Sequence, residues 1–486
     1  MSEFSQDFYN AIIESNSPWI IDAQRLPQAE LYKREAYFRV EKQLHEKHGM
    51  AVLIKGPRRV GKTEIQKQLM LDLIVKKKTP SKRVLYLSFD DVQILAERPE
   101  NHVKVVQGIL DAWANMLGAR TFDAIDSPAY CFFDEVQAVG DWAHLVKNRI
   151  ERNTHVRIVL SGSAAHSIFD KALKILLGRV IDVRLTTFSF REYLEKDNQV
   201  PIEVIRGARE AQGLFEKGLD PATLQSYLKE VTKNCDGDDY RKYITHFLQA
   251  GGFPQLWKMT EASEVERAQF VDENYVRKVT LEDLMLLQKI KKPELYERLL
   301  RHLFARPGQE YNQNKIASTL GTTTVTLAEA MRLLEQTDLL VFVEKFSNKA
   351  APLKLRNVKI YPIDMMLTYA MTKIVPTLEA ETDKGAIAES LVAQVSSRLR
   401  GLSTTAFMQS SGVKGAGEID FYLRADVYDC PIEVKYQPVI RAEDTAMLRR
   451  VITEKKLPGG VLINVDRWNA SGGVYSIPLW AFMLLA

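Results

Sequence analysis

Eight consecutive residues, Gly56-Pro57-Arg58-Arg59-Val60-Gly61-Lys62-Thr63, fit the pattern G-x-x-x-x-G-K-[ST]. A loop of this kind cradles phosphate. Its glycines let backbone N–H groups turn toward phosphate oxygens, and the helix it opens adds a partial positive charge. Lys62 then reaches the β- and γ-phosphates of a nucleoside triphosphate, and the Thr63 hydroxyl ligates Mg2+. Farther along, the apolar run Tyr130-Cys131-Phe132-Phe133 ends in Asp134-Glu135. Asp134 at the tip of such a strand can hold Mg2+ through water, and Glu135 can polarise an attacking water. The expected ligand is therefore ATP with Mg2+, bound between Lys62 and Asp134.

Two further groups belong to the same chemistry. In Val159-Leu160-Ser161-Gly162-Ser163, Ser161 and Ser163 are placed to touch a γ-phosphate or the attacking water; a plain turn is the other reading. Arg179, in Leu177-Gly178-Arg179-Val180, is a candidate arginine finger that would stabilise charge on the transferred phosphoryl group, or else a structural ion pair.

A second constellation lies near the C-terminus: Glu389, then Glu418-Ile419-Asp420, then Glu433-Val434-Lys435. Asp420 and Glu433 on adjacent strands could share a divalent cation, a second Mg2+ or Mn2+, with Glu389 completing the set. Lys435, two residues past Glu433, faces the same side of its strand and could orient or help deprotonate water. The competing reading is a structural domain whose acids pair with Lys414, Arg424 and Lys435.

The elements that must position these residues alternate. Short apolar runs at 51–55, 84–89, 130–133, 157–160 and 180–185 are separated by helical patterns, which predicts an α/β fold with a parallel sheet covered on both faces. Residues 1–49 read as a helical lead-in and 50–190 as the phosphate-binding domain. Residues 191–306 read as a helical lid or linker. In 307–361 a helix, a turn at Gly321, the helix Thr324–Thr337 and a hairpin predict a winged helix. The second helix is expected to bury Val325, Leu327, Ala330, Met331 and Leu334 and to expose Thr322, Thr323, Thr326, Glu329 and Arg332. The hairpin gathers Lys345, Lys349, Lys354, Arg356 and Lys359, which suits contact with a DNA backbone, with a lid or an oligomer contact as the other reading. Residues 362–486 return to α/β.

Composition sets the limits. The 486 residues are 46% hydrophobic and 26% charged, as in ordinary globular chains, and a net charge of +4 does not decide for or against nucleic acid. Cys131, Cys235 and Cys430 lie far apart, with no zinc spacing and no disulfide framework. No run reaches a membrane span and the N-terminus has no signal pattern, so the expected location is the cytoplasm.

The order of GPRRVGKT (56–63), FFDEVQ (132–137), LSGSA (160–164), LGRV (177–180), FSFREYL (188–194), AGGFP (250–254), YPID (361–364) and PIEVKY (431–436) resembles the prokaryotic "archaeal ATPase" type. That family joins an AAA/STAND-like P-loop domain to a C-terminal domain of unknown function. The resemblance runs from about residue 36 onward. It implies ATP hydrolysis, a winged-helix segment and a restriction-endonuclease-like C-terminal fold, with Lys62, Thr63, Asp134 and Glu135 at the nucleotide site. One departure is Ala165-His166 after the LSGSA run, where the family carries small and apolar residues. The expectation is an ATPase acting on DNA, with Arg179 supplied by a neighbour in a homo-oligomer and a metal-dependent nuclease site in the C-terminal domain. The alternative is a nucleotide-gated switch or scaffold without nuclease activity.

Overall fold

The computed structural model describes residues 4–46, 50–163, 174–279, 293–346, 358–380, 383–399, 404–409, 417–424, 427 and 429–486. The chain forms two compact units, Met1–Thr186 and Thr187–Ala486. The segments read from the sequence as a lid, a winged helix and a C-terminal domain all lie within the second.

The first unit is built on a five-stranded sheet. Its strands are β1 (Ala51–Gly56), β2 (Val84–Ser88), β3 (Ala129–Asp134), β4 (Val156–Ser163) and β5 (Val180–Arg184). Their order is β2-β3-β4-β1-β5 and every pairing is parallel. Side chains alternate across a strand, so each strand feeds two cores. Ala51 and Leu53 join Leu85, Leu87, Cys131 and Phe133 beneath α1 (Gln6–Asn16), α5 (His102–Met116) and α6 (Trp142–Arg152). Val52 and Ile54 join Phe132, Val159 and Val183 beneath α2 (Glu35–His45) and α3 (Lys62–Val75). Between α3 and α5 runs the short α4 (Val92–Leu95). This is the α/β architecture of a P-loop domain, as the sequence predicts. The lead-in is integral to it. Edge strand β2 would expose a row of backbone groups, and the N-terminal segment caps them. Trp19 Nε1 donates to Val84 O (2.7 Å), Ser17 Oγ bonds Tyr86 O and N, and Ser88 N donates to Asn16 Oδ1 (3.0 Å).

The second unit carries an eight-stranded mixed sheet ordered β12-β13-β11-β10-β9-β8-β6-β7. Its strands are β6 (Leu340–Lys345), β7 (Val358–Pro362), β8 (Thr404–Gln409), β9 (Glu418–Arg424), β10 (Asp429–Val434), β11 (Gly460–Asn464), β12 (Asn469–Ser471) and β13 (Val474–Pro478). Helices Phe190–Lys196, Ile202–Glu216, Pro221–Val231 and Gly237–Ala250 share one core with β10, β11 and the helix Lys384–Ser396. Their apolar faces are buried within this unit. The two helices read as a helix–turn–helix are Gln313–Leu320 and Thr324–Glu335, with Gly321 left-handed (φ 64°) between them. Leu327, Ala330, Met331 and Leu334 are buried, but Val325 is 68% exposed, because at i, i+4 and i+7 it shares the outward face of the helix with Glu329 and Arg332. The hairpin that follows is not isolated, since β6 pairs in parallel with β8.

A buried carboxylate explains the Gly251-Gly252-Phe253-Pro254 turn and the Tyr361-Pro362-Ile363-Asp364 run together. Asp364 Oδ2 accepts from Gly252 N (2.7 Å), and its Oδ1 caps the helix Met365–Thr372 at Met366 N (2.9 Å). Gly252 O in turn accepts from Phe188 N (2.6 Å). A Cβ at position 252 would lie 2.6 Å from Phe188 O and 2.7 Å from Asp364 Oδ2, so only glycine fits.

Candidate functional site

The loop joining β1 to α3 lies at the carboxyl end of the parallel sheet, where α/β folds bind ligands. Gly56 packs against the segment after β5 so closely that a Cβ would stand 1.9 Å from Leu185 O. Arg59 (φ 58°) and Gly61 (φ 99°) are left-handed, which curls the loop over the N-terminus of α3. Val60 turns inward to the core, fixing the loop from beneath. Lys62 is buried, and its Nζ donates to Gly56 O (3.0 Å) and Pro57 O (2.8 Å). Arg58 is half-buried and Arg59 exposed at the rim.

The tip of β3 meets this loop. Asp134 is buried, and its Oδ2 accepts from Thr63 Oγ1 (2.5 Å) and Tyr86 OH (3.1 Å). Its Oδ1 accepts from Glu135 N (3.0 Å) and from Ser161 Oγ. The carboxylate is thus oriented by β2, β4 and α3 at once. Glu135 is left-handed (φ 47°) and accepts a hydrogen bond from Gln137 Nε2. Burial raises the Glu135 carboxyl above its ordinary range; Lys62 opposes this and Asp134 adds to it. Burial and the neighbouring Asp134 charge likewise keep the Tyr86 phenol protonated.

The structure therefore brings Lys62, Thr63, Asp134, Glu135 and Ser161 together. The donor set suits a Mg2+-bound triphosphate: an ammonium and a helix N-terminus for anionic oxygens, and a hydroxyl touching a carboxylate for a hard cation. Ser163 ends β4 opposite Gly56 in the register. Arg179 is not brought here. Its carbonyl accepts from Ala51 N at the start of β1, which puts it at the opposite edge of the sheet, roughly 17 Å of strand away. Its guanidinium pairs with Glu151 (2.5 Å). Tyr86 and Gln137 were not singled out from the sequence. A tyrosine within the apolar run Val84–Leu87 was the available signal.

In the second unit, β9 and β10 are antiparallel neighbours carrying Asp420 and Glu433, both buried. Asp420 Oδ2 accepts from Val434 N (2.9 Å), and Lys435 Nζ pairs with Glu433 Oε1 (2.5 Å). Glu389 accepts from Tyr361 OH (3.2 Å). Burial first and the Asp420 charge second push Glu389 up to about 7 and Glu433 up to about 8. The expected second metal finds no support. Among the described residues no group of three or more His, Cys, Asp or Glu side chains is arranged to hold one. The reason is electrostatic, since Lys359 Nζ already pairs with Glu418 and stands 3.8 Å from Asp420 Oδ1. Lys359 was expected on an exposed wing facing DNA and is instead 7% exposed. Of the other wing cations, Lys345 ends β6, and Lys349, Lys354 and Arg356 lie outside the described residues, as does Lys414. Arg424 pairs with Asp429 (3.9 Å).

Comparison with known proteins agrees with the first site. Residues 48–194 match the family described as AAA domain, and residues 239–378 match a domain of unknown function, DUF8612. An uncharacterized protein of Methanocaldococcus jannaschii is 24% identical over 337 residues, 67% of this chain and 63% of its own. An uncharacterized protein of Haemophilus influenzae is 22% identical over 317 residues, 64% of this chain and 66% of its own. The chain thus spans just under two thirds of the length of each. The solved structure of C. elegans PCH-2 aligns over 45% of this chain and 50% of its own, at 16% identity and a TM-score of 0.23. The AAA match, with the phosphate loop facing Asp134, makes the first unit a nucleotide-binding domain of the ATPase type. No helix among the described residues is long and apolar enough to cross a membrane.

Proposed function

We propose that the chain is a Mg2+-dependent ATPase of the AAA/STAND-like class that acts on DNA. The 2.5 Å contact between Thr63 Oγ1 and Asp134 carries the reading, because it joins the helix after the phosphate loop to the acid-tipped strand at one point. Thr63 and Asp134 would hold Mg2+, which supplies charge stabilisation at the phosphates. Lys62 would place its ammonium on the β- and γ-phosphate oxygens. Glu135, held by Gln137, would accept the proton of the attacking water; its raised carboxyl is the stronger base for it. Ser161 and Tyr86 act on Asp134 by orienting it. DNA is assigned to the helix Thr324–Glu335, where the N-cap Thr323 and the exposed Thr324 and Arg332 suit backbone contact and the exposed Glu329 opposes it.

The second reading, a nucleotide-gated switch, draws support from Arg179. Its ion pair with Glu151, across the sheet from the loop, leaves the pocket without a finger from that residue of its own chain. Steady-state ATP hydrolysis with and without DNA separates the two. Lys62→Ala should lose nucleotide binding. Glu135→Gln should bind ATP yet lose roughly 10²-fold or more in turnover. Stimulation by DNA supports the DNA-acting ATPase; slow turnover indifferent to DNA supports the switch. Full activity in Glu135→Gln would overturn the assigned base.

A further inference from the structure

The β12 edge of the second sheet holds a cavity of about 200 Å3. Strand register builds its floor. Ser476 on β13 lies beside Leu462 on β11 and Asn469 on β12, and Val474 lies beside Ser471. Side chains alternate along a strand, so these residues share one face, on which Leu462 and Val474 pack with Leu448 and Val451 of the helix Ala446–Lys455. Arg449 of that helix, Arg467 of the loop after β11 and Arg441 wall the opening.

Neutral groups hold the two inner arginines. Arg449 donates from Nε to Thr445 Oγ1 (3.3 Å) and from a terminal nitrogen to Gly472 O (3.3 Å). Gly472 is left-handed (φ 57°), and a Cβ there would stand 1.9 Å from the Arg449 guanidinium, so the β12–β13 turn closes on that side chain. Arg467 sits on a turn clamped by buried Asn464, whose Oδ1 accepts from Arg467 N (2.6 Å) and whose Nδ2 donates to Arg467 O (2.9 Å). Among the described residues no carboxylate pairs with Arg449 or Arg467. The acids nearby are engaged: Asp466 with Arg241 (3.8 Å), Glu443 with Arg441 (3.4 Å), and Asp444 with Arg441 N and Gln437 Nε2 (2.7 Å each). Ser476 is only 5% exposed, yet its hydroxyl has no hydrogen-bond partner among the described residues. Buried hydroxyls are ordinarily bonded, so this one marks where a ligand atom belongs.

We infer that the cavity binds a terminal phosphate, a phosphomonoester, with Arg449 and Arg467 on its anionic oxygens and the Ser476 hydroxyl donating from the floor. Guanidinium forks match phosphate oxygens in charge and geometry. Pockets for whole drug-sized ligands span roughly 300–1,000 Å3, so this smaller one suits the phosphoryl group and the first part of its carrier, which rests on Leu462 and Val474. The carrier is a small sugar phosphate or the phosphorylated end of a nucleic-acid strand, since both present the same dianion. The site does not rest on the ATPase reading, because no residue of the phosphate loop enters it.

The test is calorimetric titration of the full chain in a Lys62→Ala background, which silences the phosphate loop, at physiological salt so that long-range attraction is screened. Ribose 5-phosphate should bind at one site per chain and ribose should not. Arg449→Gln and Arg467→Gln should each weaken binding roughly tenfold or more, and Ser476→Ala should weaken it less. Arg450→Gln, on the same helix but paired with Glu454 (2.6 Å), should leave it unchanged. Should Arg449→Gln fail to fold, Arg467→Gln carries the test, since its guanidinium has no partner to lose. A 5′-phosphorylated oligonucleotide preferred over its 5′-hydroxyl form, with the preference lost in Arg467→Gln, identifies a strand end as the carrier; ribose 5-phosphate binding without that preference identifies a small molecule. The inference is overturned if neither phosphorylated probe binds better than its unphosphorylated form, if binding survives Arg467→Gln, or if Arg450→Gln weakens it equally.

Discussion

Glu135 and Glu433 are both raised carboxyls, and their consequences run in different directions. Glu135 must lose its proton to act as a base. Burial, with Asp134 adding and Lys62 opposing, moves that loss upward, so turnover should rise with pH through a range above an ordinary carboxylate near 4.3. The acid limb of the kcat profile reads this, and Glu135→Gln should lack the limb. Glu433, among Asp420, Lys435, Lys359 and Glu389, binds its proton more tightly folded than unfolded. Its contribution to stability is complete below the unfolded value and disappears as pH rises to about 8. Denaturant unfolding of the second unit should therefore weaken between about pH 5 and 8, by up to about 1.4 kcal/mol per pH unit. Glu433→Gln should reduce that slope, leaving the share that Glu389, raised to about 7, contributes over the same range. Residue roles were legible where chemistry fixes spacing: the phosphate loop and the Asp134-Glu135 pair could be read directly. Tyr86 was not, because its place beside Asp134 depends on β2 pairing β3 in the register Ser88 to Asp134. Lys359 misled for the opposite reason, since a lysine on a hairpin resembles a solvated one until its partners from β9 are known.

At the scale of elements, the β1 loop depends on a contact with no side chain in it. Gly56→Ala would drive a methyl group into Leu185 O of the segment after β5, and a backbone atom cannot step aside. The expected cost is about 1–3 kcal/mol of first-unit stability, with loss of nucleotide affinity measured by titration of a fluorescent ATP analogue. An unchanged affinity would mean the loop tolerates displacement. The five parallel strands were readable because each is a short apolar run between helical patterns. The burial of 191–250 in the second unit's core was not readable, since helix amphipathicity shows that a face is covered and not by which strand. Arg179 follows the same logic. The sequence places it next to a strand, and only the register with Ala51 shows that it stands at the end of the sheet away from its own chain's phosphate loop.

Across the whole molecule, the two units should respond separately to damage. Asp364→Ala removes a buried acceptor from Gly252 N and Met366 N, two charge-assisted bonds within the second unit. Losing them should cost roughly 3 kcal/mol or more. Thermal unfolding should show a lowered transition for residues 187–486, while nucleotide binding to the first unit persists at low temperature. Loss of both together would show that the units unfold as one.

The β6–β8 pairing limits how this chain can be recombined. The helix pair and hairpin of 307–361 look, in sequence, like a cassette that evolution or an engineer could transplant. Cutting at 361 would leave β8 with an unpaired border and take Lys359 from Glu418 and Asp420. Viable chimeras should therefore exchange the whole of 187–486, or keep hairpin and acid-bearing strands from the same parent.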